Sequence, residues 1–436
     1  MASPSPVRRP RLLIGACVAA ALAVMAATAV VGTALTRGPA TDYTGVAWAP
    51  TDGPALLSSP VVSPEPLTFG YVLPEPIEEN DPAVTATGEE AVPVGIERVG
   101  VELAIREINA TGGVLGHRLP DPVAGREPPV SVPAGPVAAE VVAQGVHVLV
   151  GGGTPVGARA MRPDVTGAGV LMCSGADTRA DAADDLYFSA SHTWEQAARA
   201  LARAAVADGH RSAAVIVDEG DFGADMAAAV EDELHAAGVE TTTERVRMDV
   251  EGGTLADPLR GLSDIGPFDT DAVILAEDLP GVHAGENGHL DTPAERLYVT
   301  GPAMPGERTS TYAHPGTAAF RDALIAFEPA AERNGADPAA AASAFDCVTA
   351  TALAAQSAGS VEPADIAAHL PRVTSGDHAC GGYAHCLDLL LEGEDIAYVG
   401  PRGPLRWDGP GAPSVVPVGL SGPNTTGPGP VVGLSD

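Results

Sequence analysis

Apolar residues recur along the chain in two registers. Short apolar runs mark strand candidates at Leu67–Leu73, Val146–Val150, Val170–Cys173, Ala213–Val217, Thr241–Arg247, Ala272–Ala276 and Leu297–Thr300. Between them lie helix candidates at Ile96–Ala110, Pro136–Gln144, Thr193–Asp208 and Phe222–Ala237. In the first of these, Val101, Ala104, Ile105 and Ile108 fall at i, i+3, i+4 and i+7, which places them on one helix face. Glu102 and Arg106 pair one turn apart on another face, and Gly112 supplies the left-handed residue that ends the helix. Strands alternating with helices predict an α/β fold of parallel sheets flanked by helices. From Thr317 the pattern becomes mostly helical. Pro338–Ser357 is its best example, with Asp337 as cap, Pro338 in the first turn and Gly359 beyond the end.

The ends of the chain read differently. Arg8, Arg9 and Arg11 form a basic segment over residues 1–11. An uncharged apolar run follows over 12–35, long enough to span a bilayer. Positive charge ahead of it puts the N-terminus in the cytoplasm and the remainder outside. Small residues at Ala27–Ala29 and Gly32–Ala34 also suit signal-peptide cleavage, so signal anchor and signal peptide both stand. Cys17 follows too short an apolar run for a lipoprotein box. Residues 36–66 read as a Pro-rich linker, which at about 3.1 Å per residue reaches roughly 90 Å if extended. Residues 421–436, rich in Gly and Pro, read as a disordered tail.

Composition removes several function classes. The 436 residues are 45% hydrophobic, enough for a sizeable core, and carry a formal net charge of −33. No lysine is present, so all the basic residues are arginine. Such a surface repels phosphate backbones, which argues against a nucleic-acid partner. The glycines of GGGTPVG miss the G-x-G-x-x-G spacing, and without lysine no phosphate-binding loop of the G-K-[ST] type can form. Neither G-x-S-x-G nor H-E-x-x-H occurs. No enzyme activity and no cofactor are expected.

Six landmarks stand in order: LTFGYVLPEP, GVELAIREINATGGVLGHRL, GVHVLVGGGTPVGARA, GVLMCSGADT, RSAAVIVDEGDFGADMAAAVEDELHAAGVE and CLDLLLEGEDIAYVGPRGPLRWDGPG. Together they resemble the type 1 periplasmic binding proteins, in the branch of leucine/isoleucine/valine receptors that serve ABC transporters. The resemblance covers about residues 67–420. It implies two α/β lobes, each a parallel sheet flanked by helices, joined by three hinge crossings and closing on a small ligand. Carried over, residues 67–190 with 315–390 form lobe one, and 191–314 with 391–420 form lobe two.

The resemblance also implies a site. In open parallel sheets ligands bind beyond the carboxyl ends of strands, where helix N-termini point N–H groups into the cleft. Gly152, Gly153 and Thr154 follow the strand VHVLV in that manner, and the family pattern gives Thr154 a hydroxyl contact to the ligand. Ala176 and Thr178 match the second loop, which supplies a carbonyl and another hydroxyl. In lobe two the pattern is departed from. Glu277 or Asp278 stands where the family has an aromatic, and Ala303 stands where amino-acid binders carry an acid. A buried ammonium without an acid partner is costly. Either Glu277 or Asp278 substitutes, or the ligand is not a free α-amino acid.

Five cysteines are present. Cys380 and Cys386 enclose a short loop, and outside the cell a disulfide is the economical reading. The competing metal site from His378, Cys380, His385 and Cys386 matches no standard zinc spacing. Cys173 and Cys347 either stay free or pair. The expected protein is an extracytoplasmic solute receptor, membrane-anchored or secreted. It would capture an amino acid, amide or carboxylate for an ABC permease, with the cytoplasmic membrane as a further partner through the N-terminal helix. The alternative is a membrane-anchored sensor or scaffold with a degenerate cleft.

Overall fold

The structure is a computed structural model that describes residues 41–51, 60–74, 95–128, 132–176, 179, 184–246, 250–251, 254–255, 269–276, 283–284, 289–290, 293–300, 308–311, 315–329, 338–415 and 419–421. The N-terminal apolar run, the C-terminal tail beyond 421 and Asp337 lie outside them. Residues Tyr43–Asp436 form one compact unit.

The first sheet holds β1 (Phe69–Leu73), β2 (Val123–Arg126), β3 (Val148–Gly151), β4 (Leu171–Ser174) and β5 (Tyr187–Ser189), in the order β2-β1-β3-β4-β5. All its pairings are parallel. Alternate residues feed opposite faces, as strand geometry requires. Val148 and Val150 enter one core with Phe69, Tyr71 and Leu171, whereas Leu149 enters another with Val72 and Met172. Helices cover both faces, which explains why these strands read as continuous apolar runs. On one face lie α1 (Ile96–Thr111), α7 (Pro338–Ala358), α8 (Pro363–Thr374) and α9 (Gly382–Glu392); on the other lie α2 (Gly135–Val142) and α3 (Pro155–Gly167).

The second sheet is built from β6 (Ser212–Asp218), β7 (Glu240–Val246), β8 (Ala272–Leu275), β9 (Leu297–Val299), β10 (Arg308–Thr311) and β14 (Gly419–Ser421), in the order β14-β10-β9-β8-β6-β7. Only β14 runs antiparallel to its neighbour. Its core packs α4 (Trp194–Ala207) and α5 (Asp221–Ala236) through Leu201, Ala205, Val230 and Leu234. Thr193 opens α4 as a capping box with Gln196, each side chain holding the other residue's backbone N–H. The helix α6 (Pro315–Phe327) follows this sheet, and β11 (His378–Gly381), β12 (Ile396–Gly400) and β13 (Gly403–Pro404) make a small third sheet.

Each sequence-predicted strand and helix named above is found within a few residues of its expected bounds. Gly112 ends α1 as expected, at φ 123°, with its N–H on the Ile108 carbonyl. Gly113 and Gly116 also have positive φ, so the chain turns back sharply onto the sheet. Helix α7 is long and apolar enough to cross a membrane, yet it is the central helix of the first core.

Two stretches pack elsewhere than the sequence suggested. Ile396, Tyr398, Leu405 and Trp407, expected with lobe two, belong to the first core. Trp48, in the stretch read as linker, is 2% exposed and stands edge-on to Phe320 and Phe345 at 5.3 and 5.7 Å. Ser63 N–H donates to the Leu115 carbonyl at 3.1 Å, so that part of the stretch is also docked.

Candidate functional site

The loop between β3 and α3 lies at the carboxyl end of the central strand of the first sheet. Gly152 has φ +79°, and a Cβ there would fall 2.5 Å from Ala158. It must be glycine on both counts. Thr154 caps α3, its hydroxyl accepting from the Gly157 N–H at 3.0 Å. The same hydroxyl donates to Glu127 Oε1 at 3.0 Å, and the Gly153 N–H donates to Glu127 Oε2 at 2.7 Å. Glu127 follows β2 directly, and its own N–H is held by the Leu73 carbonyl at 2.9 Å. Its side chain is buried, the residue being 8% exposed.

A second carboxylate stands beside it. Glu97, in the first turn of α1, accepts from the backbone of Gly95 and of its own residue. Its Oε1 lies 3.2 Å from where a Cβ on Gly153 would be. Glu97 Oε2 is enclosed and has no hydrogen-bond partner among the described residues. Burial pushes the Glu97 carboxyl above its usual range. Burial also raises Glu127, against the hydrogen bonds from Gly153 and Thr154, and the neighbouring Glu97 charge adds to the rise. Two helix N-termini therefore each hold one of the protein's own carboxylates, where the positive end of the helix favours negative charge.

The other expected residues divide. Ala176 is half-buried at the end of β4, adjacent to β3, with its N–H on Ser174 Oγ at 3.2 Å. Thr178, Glu277 and Asp278 lie outside the described residues. On the second sheet, Asp218 closes the turn after β6 by accepting from the Gly220 N–H at 2.9 Å. The Arg179 guanidinium lies 3.5 Å from the centre of the Phe222 ring. This contact joins the loop after β4 to the first turn of α5, which belongs to the other sheet.

A buried polar cluster ties the chain together where it passes between the sheets. Tyr398 donates to Asp346 Oδ1 at 2.8 Å, Arg402 Nε lies 3.4 Å from Asp346 Oδ2, and Arg402 also donates to the Ala190 carbonyl. Burial raises the Asp346 carboxyl to about 6 despite the Arg402 charge, and lowers His192 to about 3 with help from that same charge.

Both cysteine pairs are disulfides, Cys380–Cys386 as expected and Cys173–Cys347, which the sequence left open. With both sulfurs of the short loop bonded to each other, neither serves as a metal thiolate. His378 instead faces Glu394 at 3.3 Å, and His385 Nδ1 accepts from the Gly381 N–H at 3.3 Å. Among the described residues no cluster of His, Cys, Asp or Glu is arranged to hold a metal ion.

A family model described as periplasmic binding protein matches residues 83–276. That stretch of the chain is similar to the periplasmic binding proteins. No curated protein matches the chain in sequence. Among solved structures it is similar to an ABC transporter substrate-binding protein from Desulfitobacterium hafniense in complex with leucine, at 19% identity and TM-score 0.55, covering 84% of this chain and 99% of that one. It is similar also to a solute-binding protein of an ABC transporter from Rhodopseudomonas palustris in complex with p-hydroxybenzoic acid, at 16% identity and TM-score 0.55, covering 85% and 96%. A leucine-binding protein from Thermotoga maritima matches at 16% identity and TM-score 0.51, covering 81% and 94%. At these identities the likeness is one of fold.

Glu127 and Glu97 stand at the candidate site, and sequence reasoning missed both. The usable signal was positional: Glu127 ends a strand that pairs beside the glycine loop.

Proposed function

We propose that this protein is an extracytoplasmic solute receptor that captures a small polar ligand between its lobes and delivers it to an ABC permease. The observation that carries this is the placement of Gly152–Thr154. The loop stands at the carboxyl end of a central parallel strand and opens a helix, where such sheets bind ligands. The ligands named for the solved relatives, leucine and p-hydroxybenzoic acid, are small molecules of the class expected. Residues 12–35 act as membrane anchor or are removed on export. The candidate contacts in lobe one are the Gly152–Thr154 loop, Ala176 and Thr178, and the candidate acid of lobe two is Glu277 or Asp278. Binding closes the lobes about the three crossings.

One observation favours a second reading, a membrane-anchored sensor or scaffold whose cleft takes no transported solute. The Gly153 N–H and the Thr154 hydroxyl already hold Glu127. A thermal-shift screen of the detergent-solubilised full-length chain against amino acids, amides and organic acids separates the two. A receptor gains stability with ligand concentration, about 2.7 kcal/mol at a hundredfold excess over Kd. A flat response across all three classes would reject the receptor and leave the scaffold.

A further inference from the structure

We propose that Glu127 is a built-in occupant of the carboxylate seat of lobe one, and that the cleft therefore selects ligands presenting an N–H-bearing head, an ammonium or an amide, in place of a carboxylate. This rests on the receptor reading above and narrows its ligand class.

The donors in question are the ones a ligand carboxylate would need. A bidentate anion at the start of α3 would take the Gly153 N–H and the Thr154 hydroxyl, one oxygen each. Glu127 does this with Oε2 at 2.7 Å and Oε1 at 3.0 Å. The surroundings are fitted to that side chain. A Cβ on Gly157 would lie 1.8 Å from Glu127 Oε1, and one on Gly153 would lie 2.4 Å from the Pro74 ring. Neither Gly153 nor Gly157 has positive φ. Their glycine identity answers to space, and at Gly157 that space is filled by the carboxylate. Glu127 is thus housed within the seat, more than nine-tenths buried.

A second carboxylate fixes the sign of what comes next to it. Glu97 adds another negative group beside Gly153, and its Oε2 has no hydrogen-bond partner among the described residues. An incoming carboxylate would meet two like charges with its usual donors taken, and like charges at this range repel strongly in a buried setting. A group donating N–H would meet carboxylate acceptors, of which Glu97 Oε2 has no donor among the described residues, and pairing such an acceptor is favourable because leaving it unmet is costly. Nothing in composition points to this, since Glu97 and Glu127 are two among 57 acidic residues.

The seat is tested by chemical rescue on the full-length chain in detergent. Glu127→Ala removes a side-chain fragment the size of acetate. Acetate should raise the Tm of Glu127→Ala in a saturable manner at constant ionic strength, with chloride as control and no such rise in the wild type. Thr154→Val added to Glu127→Ala should weaken the rescue. Should Glu127→Ala fail to fold, Glu127→Gln takes its place, read by the ligand pairs that follow. Selectivity is read with matched compounds: benzoate against benzamide and benzylamine, and leucine against leucinamide. The wild type should respond to the nitrogen-headed members and not to benzoate, and Glu127→Gln should gain response to benzoate. Wild-type binding of benzoate unaffected by Glu127→Gln would overturn the proposal while upholding a receptor. Failure of acetate to act selectively on Glu127→Ala would overturn the seat whatever the ligand screen shows. Rescue by acetate with no ligand bound by the wild type would uphold the seat and reject the receptor.

Discussion

At the scale of single residues, buried acids set how this protein answers pH. Glu107 in α1 is 4% exposed, and burial lifts its carboxyl from 4.5 to about 7, against the neighbouring Arg106 charge and a hydrogen bond from the Thr51 backbone. A carboxyl raised in the folded state binds its proton more tightly there than in the unfolded chain. Its contribution is therefore fully present below about pH 4.5 and is lost as pH rises through about 7. The shift corresponds to about 3 kcal/mol. Asp346, raised to about 6, acts with the same sign, whereas His192, lowered to about 3, favours folding as pH rises. A difference measurement isolates Glu107: urea unfolding of Glu107→Gln and wild type should diverge in favour of the variant between pH 4.5 and 8. Parallel curves would remove Glu107 from the balance. None of these residues was legible in advance. An acid reveals burial only through its neighbours, and here the neighbours come from other elements. The strand-to-helix turn at Gly152–Thr154 was legible, because a glycine run before a Thr-Pro helix start is a local signal.

At the scale of elements, the sequence signal was strong where strands are buried on both faces and weak at the margins. The strands β1, β3, β4, β6 and β8 are apolar along their length and stand out unaided. The edge strand β2, VAGR, alternates half-buried and exposed positions, so it reads as a poor strand, and the three-residue β5 is too short to signal itself. Long-range connections are similarly hidden. Cys173 in β4 and Cys347 in α7 are bonded across 174 positions, whereas Cys380 and Cys386 are six apart. Proximity in sequence disclosed the second pair and said nothing of the first. Their energetic weights run the other way. By loop-closure entropy the long bridge stabilises by about 5 kcal/mol and the short one by about 2 kcal/mol. The double variant Cys173→Ala/Cys347→Ala should lose clearly more in non-reducing urea unfolding than Cys380→Ala/Cys386→Ala. Equal losses would show that native-state effects, and not the unfolded chain, dominate both.

At the scale of the whole molecule, the decisive departure from the sequence concerns where the folded unit begins. A stretch rich in Pro, Ser, Thr and Gly suggests a spacer because it lacks any apolar period. Its tryptophan, Trp48, nevertheless fills the first core beside Phe320 of α6 and Phe345 of α7. A lone tryptophan carries no periodicity, and its partners lie far along the chain, so pattern reading passes over it. The backbone around it is equally committed. A Cβ at Gly381 would fall 2.2 Å from the Ala47 carbonyl oxygen, and one at Gly316 would fall 3.2 Å from the Trp48 Cβ. The segment thus lies against β11, whose Cys380 closes the short disulfide, and against the first turn of α6. Residues 43–51 are in this sense an added element of the first core. Emptying the Trp48 site should cost about 3–5 kcal/mol, the range for truncating a large buried aromatic. Two chains put this to the test, one beginning at Tyr43 and one at Leu67, together with Trp48→Ala in the longer. The longer chain should melt well above the shorter, and Trp48→Ala should lower the longer chain by most of that gap. Coincident melting of all three would return the segment to the status of spacer, and would place the start of the folded unit at β1.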